Sequence, residues 1–354
     1  ERMVRRHPEH EFIFFFDRPY DPSFVFAKNV KPVVVPPPAR HPILFYIWFD
    51  LCLPLMLRKY KADVFLSTDG QMSLNTSVPS CLVIHDLAFE HYPEHLKFSP
   101  RSYWRYFSPR FARKAKRIIT VSEFSRQDIA SRYRIAPEKI AVAHNGAHEA
   151  YRPLSWEERE AVKEQYAEGC EYFVFAGALH PRKNVVNLLK AFISFKKHHR
   201  TNMKLVIVGR MAWKFEELAQ MREEMPFRED VKWVGYMDVD ELSRVTGAAY
   251  AMVYASLFEG FGIPILEALQ CHVPAIVSNT SSMPEVAGDA ALLVDPTDPD
   301  DIAAKMALLY KDEALRARLA AAAPAQAAKF SWDKAADVLW DSLMQCFSEA
   351  PSAG

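Results

Sequence analysis

In the stretch SLFEGFGIPILEAL, residues 256–269, two glutamates, Glu259 and Glu267, bracket a Gly-Phe-Gly-Ile-Pro turn. Carboxylates accept hydrogen bonds from hydroxyls and diols. Gly260 and Gly262 allow a ligand to lie against the backbone. Pro264 has a fixed φ and no N–H, which suits the first turn of a helix, so a helix is expected from near Ile263. Glu259 then stands before the bend and Glu267 one turn beyond it, where both can face one cleft. The plain alternative makes Glu267 a favourable charge near a helix start, worth a few tenths to about 1 kcal/mol. Position alone does not decide between the two.

Three other stretches carry chemistry. In FAGALHPRKNVVNLLKAF, residues 175–192, a strand ends at Gly177 and a helix starts near Asn184. Arg182 and Lys183 stand just before that helix. Free N–H groups at a helix start with two cations beside them suit a diphosphate; the alternative is a solvated basic turn. In CLVIHDLAFEHYP, residues 81–93, His85 and Asp86 close an apolar strand. Sites of α/β proteins form at such strand ends, although a lone histidine also serves structure alone. Residues 101–117, RSYWRYFSPRFARKAKR, hold seven basic side chains interleaved with five aromatics. Nucleic acid, an anionic membrane surface or a lipid-linked phosphate fits this pattern, as does a solvated helix with a buried aromatic stripe.

These groups need elements to hold them. Short β-rich runs alternate with helical stretches through most of the chain. Strands are expected at 12–16, 64–67, 81–85, 117–122 and 140–144, with helices near 44–59, 99–115 and 123–132. Ser122 is a candidate N-cap for the last of these. Residues 144–160, HNGAHEAYRPLSWEERE, break the rhythm with Asn-Gly, Pro153 and a charged run, and read as a linker. Strands then follow at 172–177, 204–209, 231–235, 249–256, 274–278 and 291–295. Helices are expected near 184–198, 213–224, 238–247, 264–271 and 299–309, in the alanine run 320–328, and at 331–347.

Near-continuous apolar strands separated by helices mean parallel sheets covered on both faces. Two such runs predict two doubly wound α/β domains, 1–150 and 151–334, with a C-terminal helix, 335–354, docking back on the first. Ligands are expected outside the carboxyl ends of the strands, in a cleft between the domains.

Composition agrees with a soluble globular chain: half of the 354 residues are hydrophobic and a quarter are charged. The five cysteines are scattered and form no C-x-x-C, which argues against a disulfide framework or a zinc site. Net charge is zero, yet residues 1–150 hold 22 Lys+Arg against 15 Asp+Glu and the remainder 22 against 29. A basic half joined to an acidic half suits two domains with different ligands. The longest apolar run, 41–57, contains Asp50 and Pro54 and is short for a membrane span, so a packed helix is favoured over an interfacial one. No signal peptide is visible.

The ordered series GALHPRKN, LVIVGR, VGYMDVDEL, SLFEGFGIPILEAL, NTSSMPEVAGDAALLVDPTDPDDIA and FSW closely resembles retaining glycosyltransferases of family 4, with the GT-B fold. Glu259 and Glu267 match that family's E-x₇-E motif. The N-terminal half is similar more loosely, through IHDLAFEHYP, ITVSEFSRQDI and AHNGAHEAYRP. Within the family the chain looks most like bacterial mannosyltransferases of O-antigen or capsule synthesis.

The resemblance implies two Rossmann-like domains facing a cleft. It implies transfer of a hexose, mannose favoured, from a nucleotide sugar to a glycan or lipid-linked acceptor with retention. GDP-mannose is the favoured donor and a UDP-sugar the second choice. Candidate catalytic residues are His85, Glu259, Arg182 and Lys183. Candidate donor-binding residues are Gly177, Arg182, Lys183, Gly260, Phe261, Gly262 and Glu267. Neither metal nor cofactor is expected, nor nucleic acid as a partner. The expected location is cytoplasmic, with 101–117 as a peripheral contact on the inner face of the membrane.

Three departures stand out. The opening ERMVRRHPEHEFIFFF reads as the tail of a first helix entering the second strand, so the family's first strand and glycine-rich loop are expected to be missing. QCHVP replaces the usual A-C-G-x-P, putting His272 in place of a glycine. Ala178 follows Gly177 where some members have an arginine. Two other readings remain on this scaffold: a non-catalytic nucleotide-sugar or glycan-binding protein, and a nucleotide-sugar epimerase.

Overall fold

The computed structural model describes residues 1–210 and 216–348. The chain divides into two compact units, one of residues 1–144 with the segment from Trp332, the other of residues 145–331. The divisions thus fall at 144/145 and 331/332, not at 150/151 and 334/335.

In the first unit, α1 (Arg2–Arg6) precedes β1 (Phe12–Phe16), which pairs in parallel with β2 (Val30–Val34). The sequence reading lacks β2, because Pro32 cannot donate to a ladder. As β2 pairs with β1 alone, it is an edge strand, where proline is tolerated. The apolar run 41–57 forms α2 (Pro42–Tyr46), a π-helical turn (Ile47–Cys52) and the start of α3 (Leu53–Lys59). Its inner side buries Trp48, Phe49, Leu53 and Leu57 with Val35. The Trp48 indole donates to the Val35 carbonyl at 2.7 Å, which satisfies its buried N–H.

A parallel four-stranded sheet follows, β3 (Phe65–Ser67), β4 (Ser80–Val83), β5 (Arg117–Thr120) and β6 (Ile140–Val142), in that order across the sheet. Its helices are α4 (Ala88–His91), α5 (Phe98–Lys114) and α6 (Glu123–Tyr133). Ser122 caps α6 by accepting the Ser125 N–H at 3.1 Å.

The second unit opens with α7 (Trp156–Ala167), where the sequence reading placed only a linker. The linker signal is correct up to Ser155. There a capping box begins: the Ser155 hydroxyl accepts the Glu158 N–H, and the Glu158 carboxylate accepts the Ser155 N–H. The charged run beyond consists largely of good helix formers.

Strands and helices then alternate: β7 (Tyr172–Ala176), α8 (Val185–His198), β8 (Lys204–Val208), α9 (Glu216–Glu224), β9 (Val231–Gly235) and α10 (Val239–Gly247). They continue as β10 (Ala251–Tyr254), α11 (Ile263–Gln270), β11 (Ala275–Ser278), α12 (Met283–Ala287), β12 (Ala291–Val294), α13 (Pro299–Lys311) and α14 (Glu313–Ala327). Residues 213–215 of the helix expected at 213–224 lie outside the described residues.

The last helix, α15 (Trp332–Ser348), belongs to the first unit and packs on β4 and β5. Ala335, Leu343 and Cys346 cluster with Cys81, Val83 and Ile119. Arg6 of α1 binds the Asp333 and Asp337 carboxylates. Residues 349–354 of the expected terminal helix lie outside the described residues.

The second sheet is parallel with strand order β12-β11-β10-β7-β8-β9. Strands β7, β8, β10 and β11 are buried along their whole length, as apolar runs covered by helices on both faces require. The chain enters at β7, winds outward through β8 and β9, then returns to lay β10 on the other side of β7. The loops after β7 and β10 therefore leave neighbouring strands in opposite winding directions. That is a topological switch point, where the carboxyl ends of strands open a crevice. The close approach of the chain just beyond β7 and β8 depends on Gly209, where a Cβ would lie 1.9 Å from the Gly177 carbonyl oxygen.

His272 has φ +60° just after α11. A non-glycine residue pays steric strain there, partly offset by the entropy a glycine would lose on folding. His272→Gly is expected to raise stability modestly, by about 0.5–1 kcal/mol. Thermal melting checks this, and a clear fall in Tm contradicts it.

Candidate active site

Arg182 and Lys183 lie in a short 3₁₀ turn, Pro181–Lys183, between β7 and α8. The His180 imidazole caps the turn by accepting the Arg182 N–H at 3.2 Å through Nδ1. Asn184 follows in the left-handed region, and its side chain donates to the carbonyls of Ala255 and Pro296 at 2.9 and 2.7 Å. The Leu257 N–H reaches back to the Arg182 carbonyl at 2.8 Å. These bonds stitch the loop after β7 to the loop after β10.

Glu259 occupies the second of these loops and is 6% exposed. Lys183 Nζ lies 2.7 Å from its Oε1, and Arg182 Nη1 lies 3.1 Å from its Oε2. Arg182 also donates to the Phe258 carbonyl. The Tyr254 hydroxyl, at the end of β10, receives Lys183 Nζ at 2.5 Å and donates to Glu259 Oε1 at 3.1 Å. Burial pushes the Glu259 carboxyl up, but Lys183 and Arg182 outweigh it and hold the group below its ordinary value. Burial, reinforced by Glu259, lifts the Tyr254 phenol well above its usual range, so it stays a donor. The cluster thus sets two cations and one carboxylate side by side at the ends of β7 and β10.

The loop has a firm base. The Glu259 N–H donates to the Ser281 hydroxyl at 3.1 Å. The Ser282 hydroxyl lies 2.9 Å from the carbonyls of both Glu259 and Phe261. The Phe261 side chain is buried edge-on against Phe330, at 5.5 Å between ring centres. Gly262 has φ +97° and caps α11, a conformation that glycine adopts without strain.

Glu267 stands apart from this cluster. Its carboxyl faces the buried phenol of Tyr151 in the loop ahead of α7. Burial raises the Glu267 carboxyl to about 7, with Tyr151 opposing in part. Burial likewise pushes the neighbouring Cys271 thiol up to about 12. Below about pH 4.5, the ordinary value, Glu267 is protonated in folded and unfolded chains alike. Between there and pH 7 the folded chain holds a proton that the unfolded chain has lost, so stability falls as pH rises. The full loss above that window is on the order of 3 kcal/mol. Glu267→Gln is neutral throughout. It is expected to melt higher than the parent at pH 8 and close to it near pH 4. Parallel melting curves for the two across this range contradict the reading.

In the first unit, His85 lies two residues beyond β4, with its ring exposed. Its Nε2 lies 3.1 Å from the Thr68 carbonyl, which can only accept, so Nε2 carries the proton. Asp86 accepts the Ala88 N–H at 2.8 Å.

Sequence reasoning missed Tyr254, Ser281, Ser282 and Tyr151. A hydroxyl ending an otherwise apolar strand, AYAMVYAS, was the available signal for Tyr254. Nothing in the sequence signals the other three.

Two α/β units built on parallel sheets, together with the solved structures the chain superposes on, place it in the GT-B class. The chain belongs to the glycosyltransferases of this class. Residues 1–150 match the family model described as Glycosyltransferase Family 4, and residues 157–326 match Glycosyl transferases group 1. The chain is 34% identical over 253 residues to the O-antigen chain mannosyltransferase B of Escherichia coli, covering 70% of this chain and 66% of that protein. It is 28% identical over 259 residues to the O-antigen chain mannosyltransferase RfbU of Salmonella typhimurium, covering 73% and 68%. The matches thus span about two thirds of the length of these relatives. Among solved structures, a glycosyltransferase from Rickettsia africae superposes with a TM-score of 0.76 at 15% identity, over 98% of this chain and 93% of that one. At such identity the likeness concerns the fold.

Proposed function

We propose that the chain transfers mannose from GDP-mannose, with retention, to a glycan or lipid-linked acceptor. The observation that carries this reading is the Arg182–Lys183–Glu259–Tyr254 cluster at the switch point of the second unit. The two cations receive the donor diphosphate and stabilise charge on the leaving nucleotide. Glu259 contacts hydroxyls of the donor sugar, and Glu267 takes the ribose diol. His85 is assigned to the sugar and acceptor. Charge neutralisation by the two side chains lets the reaction run without a metal. Attack comes from the face that the nucleotide leaves, and the departing phosphate takes the acceptor proton, so no side-chain nucleophile is required.

Mannose as the sugar rests on the names of the two enterobacterial relatives. A cytoplasmic location, with residues 101–117 meeting the inner face of the membrane, belongs to the same reading. The test is a donor screen with detection of released nucleotide, joined to calorimetric titration with GDP and UDP. Turnover of GDP-mannose with GDP binding over UDP supports the proposal. Binding of UDP alone, or donor conversion that needs no acceptor and releases no nucleotide, overturns it.

A further inference from the structure

We propose that Tyr254 is a positioning residue for the transfer reaction: its hydroxyl holds the Lys183 ammonium where the donor diphosphate departs, without neutralising it, and loosens the grip of Glu259 on that ammonium. This rests on the donor-site reading above and gives a task to a side chain that the reading leaves without one. Tyr254 ends β10 and is fully buried. Its ring stacks on Phe175 of β7, with centres 5.9 Å and planes 17° apart. A phenylalanine would fill that place as well. What tyrosine adds is a buried hydroxyl, which destabilises the fold unless it is bonded. This one bonds two charged groups of the donor site, Lys183 Nζ at 2.5 Å and Glu259 Oε1 at 3.1 Å.

The three groups close a ring. Lys183 Nζ also donates directly to Glu259 Oε1 at 2.7 Å, so one carboxylate oxygen receives both the ammonium and the phenol. The phenol proton goes to Glu259, and the phenol oxygen therefore accepts from the ammonium. Burial, together with the Glu259 charge, keeps the phenol protonated, so this direction of donation holds. Arg182 is held in a parallel way: Nη1 reaches Glu259 Oε2 at 3.1 Å and also the Phe258 carbonyl. Each cation thus meets a charged and a neutral acceptor. The two kinds act differently. A carboxylate offsets positive charge as it binds, whereas a neutral oxygen fixes an ammonium and leaves its charge in place. The lysine stem is flexible, so its head needs such an anchor more than a planar guanidinium does.

Removing the hydroxyl shifts both balances in one direction. The ammonium loses its neutral anchor, and Glu259 Oε1 loses a competing donor. The Lys183–Glu259 pair then tightens, and its ammonium is drawn from the donor phosphate. Charge grows on that phosphate as the nucleotide leaves. The loss is therefore felt by the transition state and by free GDP more than by the intact donor, whose esterified phosphate carries less charge. A tyrosine that served the fold alone would lower stability without this split.

The test is Tyr254→Phe in the wild-type chain and in Lys183→Ala, read by steady-state kinetics with the nucleotide sugar and by GDP titration, well below the melting temperature. In the wild-type background kcat and GDP affinity are expected to fall roughly tenfold or more, with KM for the intact donor changed less than about threefold. In the Lys183→Ala background the same substitution should change kcat/KM by less than about threefold, because the side chain it acts through is gone. Should Tyr254→Phe fail to fold, 3-fluorotyrosine at position 254 keeps the ring and its bonds. Its more acidic phenol accepts from the ammonium less well, so kcat is expected to fall about twofold or more in the wild-type background alone. Wild-type constants for the altered protein, an equal loss in both backgrounds, or a loss confined to KM overturns the proposal. GDP titration of the wild type separates this role from the donor-site reading. A wild type that binds GDP, beside an unchanged Tyr254→Phe, removes the role of Tyr254 alone; a wild type that binds no nucleotide removes both.

Discussion

Lys183→Ala is expected to lower kcat/KM for the nucleotide sugar by about 10²–10³. Lys183 is the more enclosed of the two cations, touching Glu259 at 2.7 Å and Tyr254 at 2.5 Å. A preplaced positive charge beside a leaving diphosphate acts where negative charge grows, so its loss is felt mainly in the transition state. The substitution also acts on folding. Glu259 keeps Arg182 and Tyr254 as partners, so the cost is expected at about 1–3 kcal/mol and not at the full value for an orphaned buried charge. Loss of Lys183 should also let the Glu259 carboxyl rise, since that ammonium is the largest influence opposing burial. Steady-state kinetics well below the melting temperature separate the two effects. A kcat/KM within about threefold of wild type removes Lys183 from the chemistry.

Glu259→Ala is the second large effect, with kcat falling about a hundredfold or more while nucleotide affinity changes little. The side chain sits where the loop after β10 turns back over β7, and its position is fixed from both ends. Lys183, Arg182 and Tyr254 hold the carboxylate, and Ser281 and Ser282 hold the backbone. Removing the carboxylate leaves two cations side by side. Free nucleotide can take up that charge, so its binding survives, but the donor sugar loses its acceptor group. Glu267→Ala should behave in the opposite way, weakening nucleotide and donor binding more than turnover. Equal behaviour of the two variants in kinetics and titration contradicts the division of roles. Stability should be coupled too. Lys183→Ala/Glu259→Ala is expected to cost less than the two single changes added together, because each removes the other's partner.

The second sheet was legible because its central strands are continuous apolar runs. Full burial on both faces forces that pattern, and the pattern identifies the strands. An edge strand carries less constraint, and so β2 could contain Pro32 and escape notice. The start of α7 was hidden because a charged, solvent-facing helix and a charged linker share a composition. Only the reciprocal Ser155–Glu158 bonds distinguish them.

For the site, Arg182, Lys183 and Glu259 announced themselves by charge beside turns at strand ends. The bond between them did not, because it joins loops 76 residues apart, and the strand order that makes them neighbours is tertiary information. Glu267 was legible as a carboxylate one turn into a helix. Its burial against Tyr151 was not, and that burial sets its proton affinity.

The central claim is that the paired cations after β7 and the glutamate after β10 form a nucleotide-diphosphate site. Calorimetric titration of GDP into the wild-type chain and into Arg182→Ala/Lys183→Ala tests it most directly. The predicted result is saturable binding to wild type and a loss of affinity of roughly a hundredfold or more in the variant. GDP binding of equal affinity to both folded proteins would contradict it.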